Sequence, residues 1–249
     1  MAGFVDLHCH WLPEIDDGAR TIPEGLAMLG ALGSLGFTHV VATPHMRPGL
    51  FDNQRSDLVQ RFSEVLPLFI GENLPDVSLS SEHHFDERVL ADVRSGQALP
   101  YRASGSLNEL RTSGALLIEF LDLPPPQLVE RQLFELQTLG YIPVIAHPER
   151  YRSIWRDPSR LERLVDLGSV ALLDTAALVG KYGSEPQRCA QTLLEKGLYD
   201  AACSDAHRPA DVEEVASGMS WLRREYGDEE VQFLFGAGPL ALLKGLRPA

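Results

Sequence analysis

Apolar positions along the chain gather in short runs at fairly even distances: Phe4 to Leu7, Phe37 to Ala42, Val77 to Leu79, Leu116 to Ile118, Ile142 to Ala146, Val170 to Leu173 and Tyr199 to Cys203. Runs this short, set off by turn residues, read as strands. Between most of them the apolar spacing becomes helical. The clearest helix is Ile22 to Leu35, where Ile22, Leu26, Leu29 and Leu32 fall on one face. Thr21 can cap it, Pro23 suits its first turn, Glu24 completes a capping box and Gly36 can end it. Leu128 to Leu139 and Leu161 to Leu167 repeat the pattern, closing on Gly140 and Gly168 just before the next strand. Strand, helix, glycine, strand is the rhythm of a parallel α/β fold. Seven such strands point to a barrel or near-barrel. Leu66 to Asp76 and Tyr101 to Gly114 read as loops, and no repeat or linker divides the chain, so residues 1–249 are expected to form one domain.

Composition narrows the function. With 22 Lys plus Arg against 35 Asp plus Glu, the formal charge is −13, which disfavours a nucleic-acid binder. No stretch approaches the roughly 18 apolar residues of a membrane span, and the start of the chain lacks the layout of a signal peptide, so a soluble, cytoplasmic protein is expected. Three cysteines give no disulfide framework and suit a reducing compartment. Lysine is scarce, with only Lys181, Lys196 and Lys244.

The histidines and certain carboxylates track the proposed strand ends. Asp6, His8 and His10 belong to the first, His45 to the second, Glu82 to the third, Glu119 to the fourth, His147 to the fifth, and Asp205 and His207 to the last. In parallel barrels the loops at the C-terminal strand ends converge on one mouth, which is where active sites form. Singly the pieces are weak: Asp16-Asp17-Gly18 is also a plain acidic turn, and a lone histidine beside Pro44 or Pro148 is more often structural. His8-Cys9-His10 is stronger, because alternation puts both imidazoles on one face, suited to chelating a metal ion. Glu119 sits in an apolar run, where a carboxylate is costly unless paired or metal-bound. His8, His10, His45, His147 and His207, together with Asp17, Glu82, Glu119 and Asp205, exceed what one zinc ion needs and suit a cluster of two or three metals.

Three other chemistries fit poorly. A cysteine phosphatase needs Cys and Arg flanking five residues; Cys203 and Arg208 flank only four. The amidohydrolases that bridge metals with a carboxylated lysine need one at a strand end, where none of the three lysines is expected. No phosphate-cradling glycine motif is present.

The set Asp6-Leu7-His8-Cys9-His10, Asp16-Asp17-Gly18, Ala42-Thr43-Pro44-His45, Ser81-Glu82, Leu117-Ile118-Glu119-Phe120, Ile145-Ala146-His147-Pro148-Glu149-Arg150-Tyr151 and Ser204-Asp205-Ala206-His207 resembles the PHP (polymerase and histidinol phosphatase) superfamily. Within it, the sequence is most similar to the CpsB/CapC/YwqE type of protein-tyrosine phosphatase from capsule and exopolysaccharide gene clusters. The Gly180-Lys181-Tyr182-Gly183 turn also fits. The resemblance implies a distorted seven-stranded (β/α) TIM-like barrel holding three divalent ions, manganese by preference, with iron or zinc as alternatives. His8, His10, Asp205 and Glu82 would hold one ion, Glu82 with Glu119 and His147 a second, and Asp17, His45 and His207 the third. A hydroxide between metals would attack phosphotyrosine. Arg150 would grip the phosphate, for which the bland alternative is a salt bridge to Glu149 or a neighbouring acid, and His207 is a candidate acid. The chain departs from the family at Leu173-Asp174-Thr175-Ala176, usually an Asn-containing segment, and in Arg208, which follows His207 directly where a second phosphate arginine usually lies a few residues on. The implied substrate is the phosphotyrosine tail of a tyrosine autokinase, and homo-oligomers are known among relatives. The alternatives are a small-molecule phosphatase of the histidinol-phosphate kind or a phosphodiesterase, and, outside catalysis, a metal-stabilised module.

Overall fold

A computed structural model describes residues 3–71, 73–102 and 113–248. Its strands are β1 (Phe4–Cys9), β2 (Phe37–Ala42), β3 (His45–Met46), β4 (Asp76–Leu79), β5 (Glu82–His84), β6 (Gly114–Glu119), β7 (Tyr141–Ala146), β8 (Val170–Asp174) and β9 (Ala201–Cys203). All seven expected runs are strands, extended or trimmed by a few residues. Every ladder between them is parallel.

The seven-stranded barrel of the sequence reading is not found as one closed ladder. The strands form two parallel sheets, β1-β2-β4 and β3-β5-β6-β7-β8-β9. The second and third expected strands are each followed by a short further strand, β3 and β5, that joins the other sheet. Pro44 has no N–H to give a ladder, so the chain steps between β2 and β3; β4 and β5 part at Ser80-Ser81. Backbone bonds span both steps, Ser80 N–H donating to Ala42 O at 2.8 Å and Glu82 N–H to Pro44 O at 3.1 Å. On the other side the sheets meet, among the described residues, at one bridge, Cys9 to Ala206.

The helix α1 (Ile22–Ser34) forms as predicted, with the Thr21 hydroxyl accepting from Glu24 N–H. α4 (Pro126–Thr138) and α6 (Ser159–Asp166) match the other two predicted helices. Helices α2 (Arg55–Val65), α3 (Glu87–Ser95), α5 (Arg152–Arg156), α7 (Ser184–Glu195), α8 (Asp211–Gln232, kinked at Gly227) and α9 (Gly238–Leu243) complete the set. Of the two expected loops, Leu66 to Asp76 contains a 3-10 turn at Leu66–Leu68, and most of Tyr101 to Gly114 lies outside the described residues.

Strand alternation divides the core. Leu116 and Ile118 of β6 pack outward with the helices, while Ala115 and Leu117 join Val5, Leu7, Val144, Val170, Leu172 and Ala201 in a smaller cluster enclosed by the strands. Leu242 and Leu243 of α9 belong to the same cluster. On β1 simple alternation from Val5 and Leu7 would put Cys9 inward, yet Cys9 packs outward with the helices. The register of β1 against β2 shifts between Asp6 and Cys9, and such an irregularity re-aims the side chains that follow. His8 and His10 thereby turn into the mouth.

Candidate metal centre

Strand register brings the candidate ligands together. His45 of β3 lies opposite Glu82 of β5, and His84 opposite Glu119 of β6. Glu82, buried, occupies the centre: its Oε2 is 2.9 Å from His45 Nδ1, 3.3 Å from His8 Nε2 and 3.6 Å from His10 Nε2, while Oε1 is 3.0 Å from His147 Nε2. Asp205 Oδ1 lies 3.2 Å from His8 Nε2 and 3.4 Å from His10 Nε2. Asp17 Oδ1 reaches His45 Nε2 at 3.4 Å and His207 Nε2 at 3.5 Å.

All nine candidate ligands fall into groups whose donor atoms lie within 4.8 Å of one another: His10, Asp17, His45 and His207; His8, His10 and Glu82; His8, His147 and Asp205; His45, Glu82 and Glu119. Asp17, His45 and His207 stand together, with His10 beside them. His147 shares its group with His8 and Asp205, whereas the resemblance placed it with Glu119.

The donor chemistry fits cations. His8 Nε2 and His10 Nε2 face each other at 3.1 Å; when both present lone pairs, only a positive species between them relieves the contact. Glu119 Oε2 is buried without a hydrogen-bond partner among the described residues. Outer partners orient the rings, as they do in metal sites. His10 Nδ1 bonds Asp16 Oδ2 at 2.8 Å, and His207 Nδ1 bonds the Asp205 carbonyl at 3.0 Å. Each leaves Nε2 for the cluster.

Titration in the metal-free chain follows from this crowding. Burial would lower His45, but the Glu82 carboxylate and hydrogen bonds to Asp17 and Glu82 outweigh it and push the group up to about 11. Burial opposes His207 too, and Asp17 and Asp205 raise it to about 9. Burial and the neighbouring Glu82 charge push Glu119 up to about 7. Burial, reinforced by the Arg150 charge, lowers His147 to about 4.

Arg150, in a 3-10 turn after β7, forms the salt bridge to neighbouring acids that the bland alternative allowed, though not to Glu149. Its Nη1 donates to Asp205 Oδ2 at 2.7 Å and lies 3.5 Å from Asp174 Oδ2, and its guanidinium sits 4.9 Å from the Tyr182 ring centroid. Glu149 instead turns inward, accepting from Asp174 N–H at 2.9 Å and the Tyr199 hydroxyl at 2.8 Å. Arg208 donates from Nη1 to the carbonyls of Gly18 and His207, fastening two ligand turns together. Asp6 joins none of the ligand groups; its Oδ1 clamps His8 N–H and Ser204 N–H.

The centre opens into a cavity of about 540 Å³ lined by Arg47, Phe51, Arg150, Tyr182 and Arg208 around the ligands. Lys181 also reaches this wall, contrary to the sequence expectation, because the 3-10 turn Thr175–Val179 after β8 folds back. It is no bridging group: Nζ pairs with Asp211 Oδ1 at 2.8 Å. The sequence reading also missed Asp16 as an orienting residue and Arg47 as a wall residue. The Asp-Asp-Gly turn carried a signal for the first; nothing in the spacing marked the second. All three cysteines are buried, and burial raises their thiols, Cys189 to about 12 and Cys9 and Cys203 well above the ordinary range. None is set up as a nucleophile.

The chain is similar to known proteins. The chain is 32% identical over 226 residues to the tyrosine-protein phosphatase YwqE of Bacillus subtilis, covering 90% of this chain and 86% of the relative. It is 24% identical to the tyrosine-protein phosphatase CpsB of Streptococcus pneumoniae, covering 96% and 98%. A solved structure from a study of YwqE and CpsB, described there as unique metal-dependent tyrosine phosphatases, superposes with a TM-score of 0.85 at 30% identity, covering 98% of this chain and 96% of that one. Dihydropyrimidinase from Brevibacillus agri matches with a TM-score of 0.58 at 11% identity, covering 100% and 73%, a likeness of fold alone. With the capsular polysaccharide synthesis CpsB/CapC family model matching residues 4–244, the chain belongs to the CpsB/CapC family.

Proposed function

We propose that this chain is a metal-dependent protein-tyrosine phosphatase, working as one domain over residues 1–249, whose substrate is the phosphorylated tail of a tyrosine autokinase of polysaccharide synthesis or export. The observation that carries this reading is the convergence of nine histidine and carboxylate side chains at one mouth with Arg150 on its wall. The two sheets, joined at Cys9 and Ala206, are then one distorted barrel with its site at the C-terminal strand ends.

His8, His10, Asp17, His45, Glu82, Glu119, His147, Asp205 and His207 would hold three divalent ions, manganese first among them. Bound there, such ions neutralise phosphate charge and lower the pKa of water. The chain's own residues do the rest. Arg150 offers a planar fork to the phosphate oxygens, a geometry lysine lacks, and Asp205 and Asp174 fix where that fork points. His207, with Nδ1–H committed to a carbonyl, turns Nε2 to the Asp17 side; its role is to hold an ion rather than to donate a proton. Arg208 is a fastener between ligand turns. A tyrosine phenol, pKa near 10, leaves with less proton assistance than an alkyl alcohol. Ligand turns at the mouth are open to solvent, Asp17 being about half exposed, which suits a protein tail over an enclosed metabolite.

The test is turnover of a phosphotyrosine peptide against histidinol phosphate, with metal analysis of the same sample. About three ions per chain, preference for the peptide, loss in chelator and recovery with manganese are expected. Full activity in chelator, or a preference for histidinol phosphate, overturns the proposal.

A further inference from the structure

Among the cations on the cavity wall, most are already answered. Arg150 pairs with Asp205 and Asp174, Lys181 with Asp211, and Arg208 with two carbonyls. Arg47 differs. Among the described residues its guanidinium makes no hydrogen bond, and its nearest carboxylate oxygen, Glu119 Oε2, stands 4.0 Å from Nη1. The side chain is nonetheless only 25% exposed, so an unspent planar fork is held at the wall rather than dispersed in solvent.

The turn that carries it is built. Arg47 and Phe51 exchange both backbone hydrogen bonds, at 3.0 and 2.8 Å, around Gly49, whose φ of 82° favours glycine. Asn53 Nδ2 ties the turn to the carbonyls of His45 and Ile15 at 2.8 and 3.0 Å. The Phe51 ring stacks on His45 with centroids 5.2 Å apart and planes 6° from parallel. Arg47 is therefore registered to the ligand His45.

We infer that Arg47 is a second phosphate-gripping residue, meeting the substrate phosphoryl group from the Glu119 side while Arg150 meets it from the Asp205 side. The two arginines adjoin ligand groups with no member in common, His45-Glu82-Glu119 and His8-His147-Asp205. A guanidinium one ligand away from an ion position is placed for an oxygen that the ion also attracts. A cation bound at Glu119 would also spend that carboxylate's charge, leaving Arg47 to the substrate.

This inference rests on the phosphatase reading for its substrate, but its test does not. Inorganic phosphate is titrated into the manganese-loaded protein, and kcat/KM is measured on p-nitrophenyl phosphate and on phosphotyrosine peptides with acidic and neutral flanks. Arg47→Ala and Arg47→Gln are expected to weaken phosphate binding by about tenfold to a hundredfold, the range of a hydrogen bond to a charged group. kcat/KM should fall by a similar factor on all three substrates, with metal content unchanged, and Arg47→Lys should recover only part. Unchanged phosphate affinity, a loss confined to the acidic-flank peptide, or a fall in metal content overturns the inference. If the parent protein hydrolyses no phosphate ester, the phosphatase reading fails, and the phosphate titration still decides Arg47.

Discussion

Stripping the cations with a chelator and restoring them at different pH values probes the charge balance of the centre. In the metal-free chain His45 and His207 have pKa values raised to about 11 and about 9 by the carboxylates around them. Both therefore carry a proton throughout the neutral range, and a cation can take their place only if both protons leave. The Asp17 carboxyl is held well below its usual range by hydrogen bonds from His207 and His45, so it contributes none. Between pH 6 and 8 His45 and His207 should together release about two protons when a cation fills their group, a contribution of about 2.7 kcal/mol of affinity per pH unit at 1.36 kcal/mol per proton. Histidines at their ordinary pKa, about 6.5, would release almost nothing at pH 8. Calorimetric titration with manganese in two buffers of different ionisation heat counts the protons directly. His207→Asn should lower the count by about one, assigning it to that imidazole. Release of less than about half a proton at pH 8, or a count indifferent to His207→Asn, would refute the charge assignment.

Other outcomes follow from the supporting residues. Asp16→Asn keeps the shape of the turn but weakens the orienting bond to His10, and metal affinity measured by competition with a chelator should drop about tenfold to a hundredfold. Gly18→Ala puts a Cβ 2.1 Å from the His10 carbonyl oxygen, so the Asp17 turn must shift, and metal analysis should show occupancy falling while circular dichroism stays that of a folded chain. Because the thiols are buried and protonated, iodoacetamide at pH 7.5 should leave phosphatase activity of the native protein intact; inactivation that tracks one modified cysteine would contradict the site described above.

Much of this centre was readable from letters because its chemistry uses strong local rules. Alternation placed His8 and His10 on one face, and the prolines after Thr43 and before Glu149 marked where strands give way to ligands. The helix Ile22–Ser34 announced itself by cap, proline and period. What escaped notice depends on tertiary geometry. β3 and β5 span only two and three residues, too few for a period to show, so the division into two sheets left no trace. Asp16 and Asp17 are neighbours of one type, and only the backbone decides which turns to a ring and which to the cluster. Arg47 and Lys181 reach the cavity by loops that fold back, information that composition and spacing do not carry.

His147 and Asp205, ligands of one group, have φ values of 33° and 43°, a left-handed backbone that costs a non-glycine residue about 1–3 kcal/mol. The fold thus bears a standing cost at two candidate ligand positions, offset by packing elsewhere. This sets activity against robustness. At either position glycine would abolish the ligand yet relax the backbone, so a screen of the metal-free chain for thermal tolerance alone should select replacements there that have lost the centre.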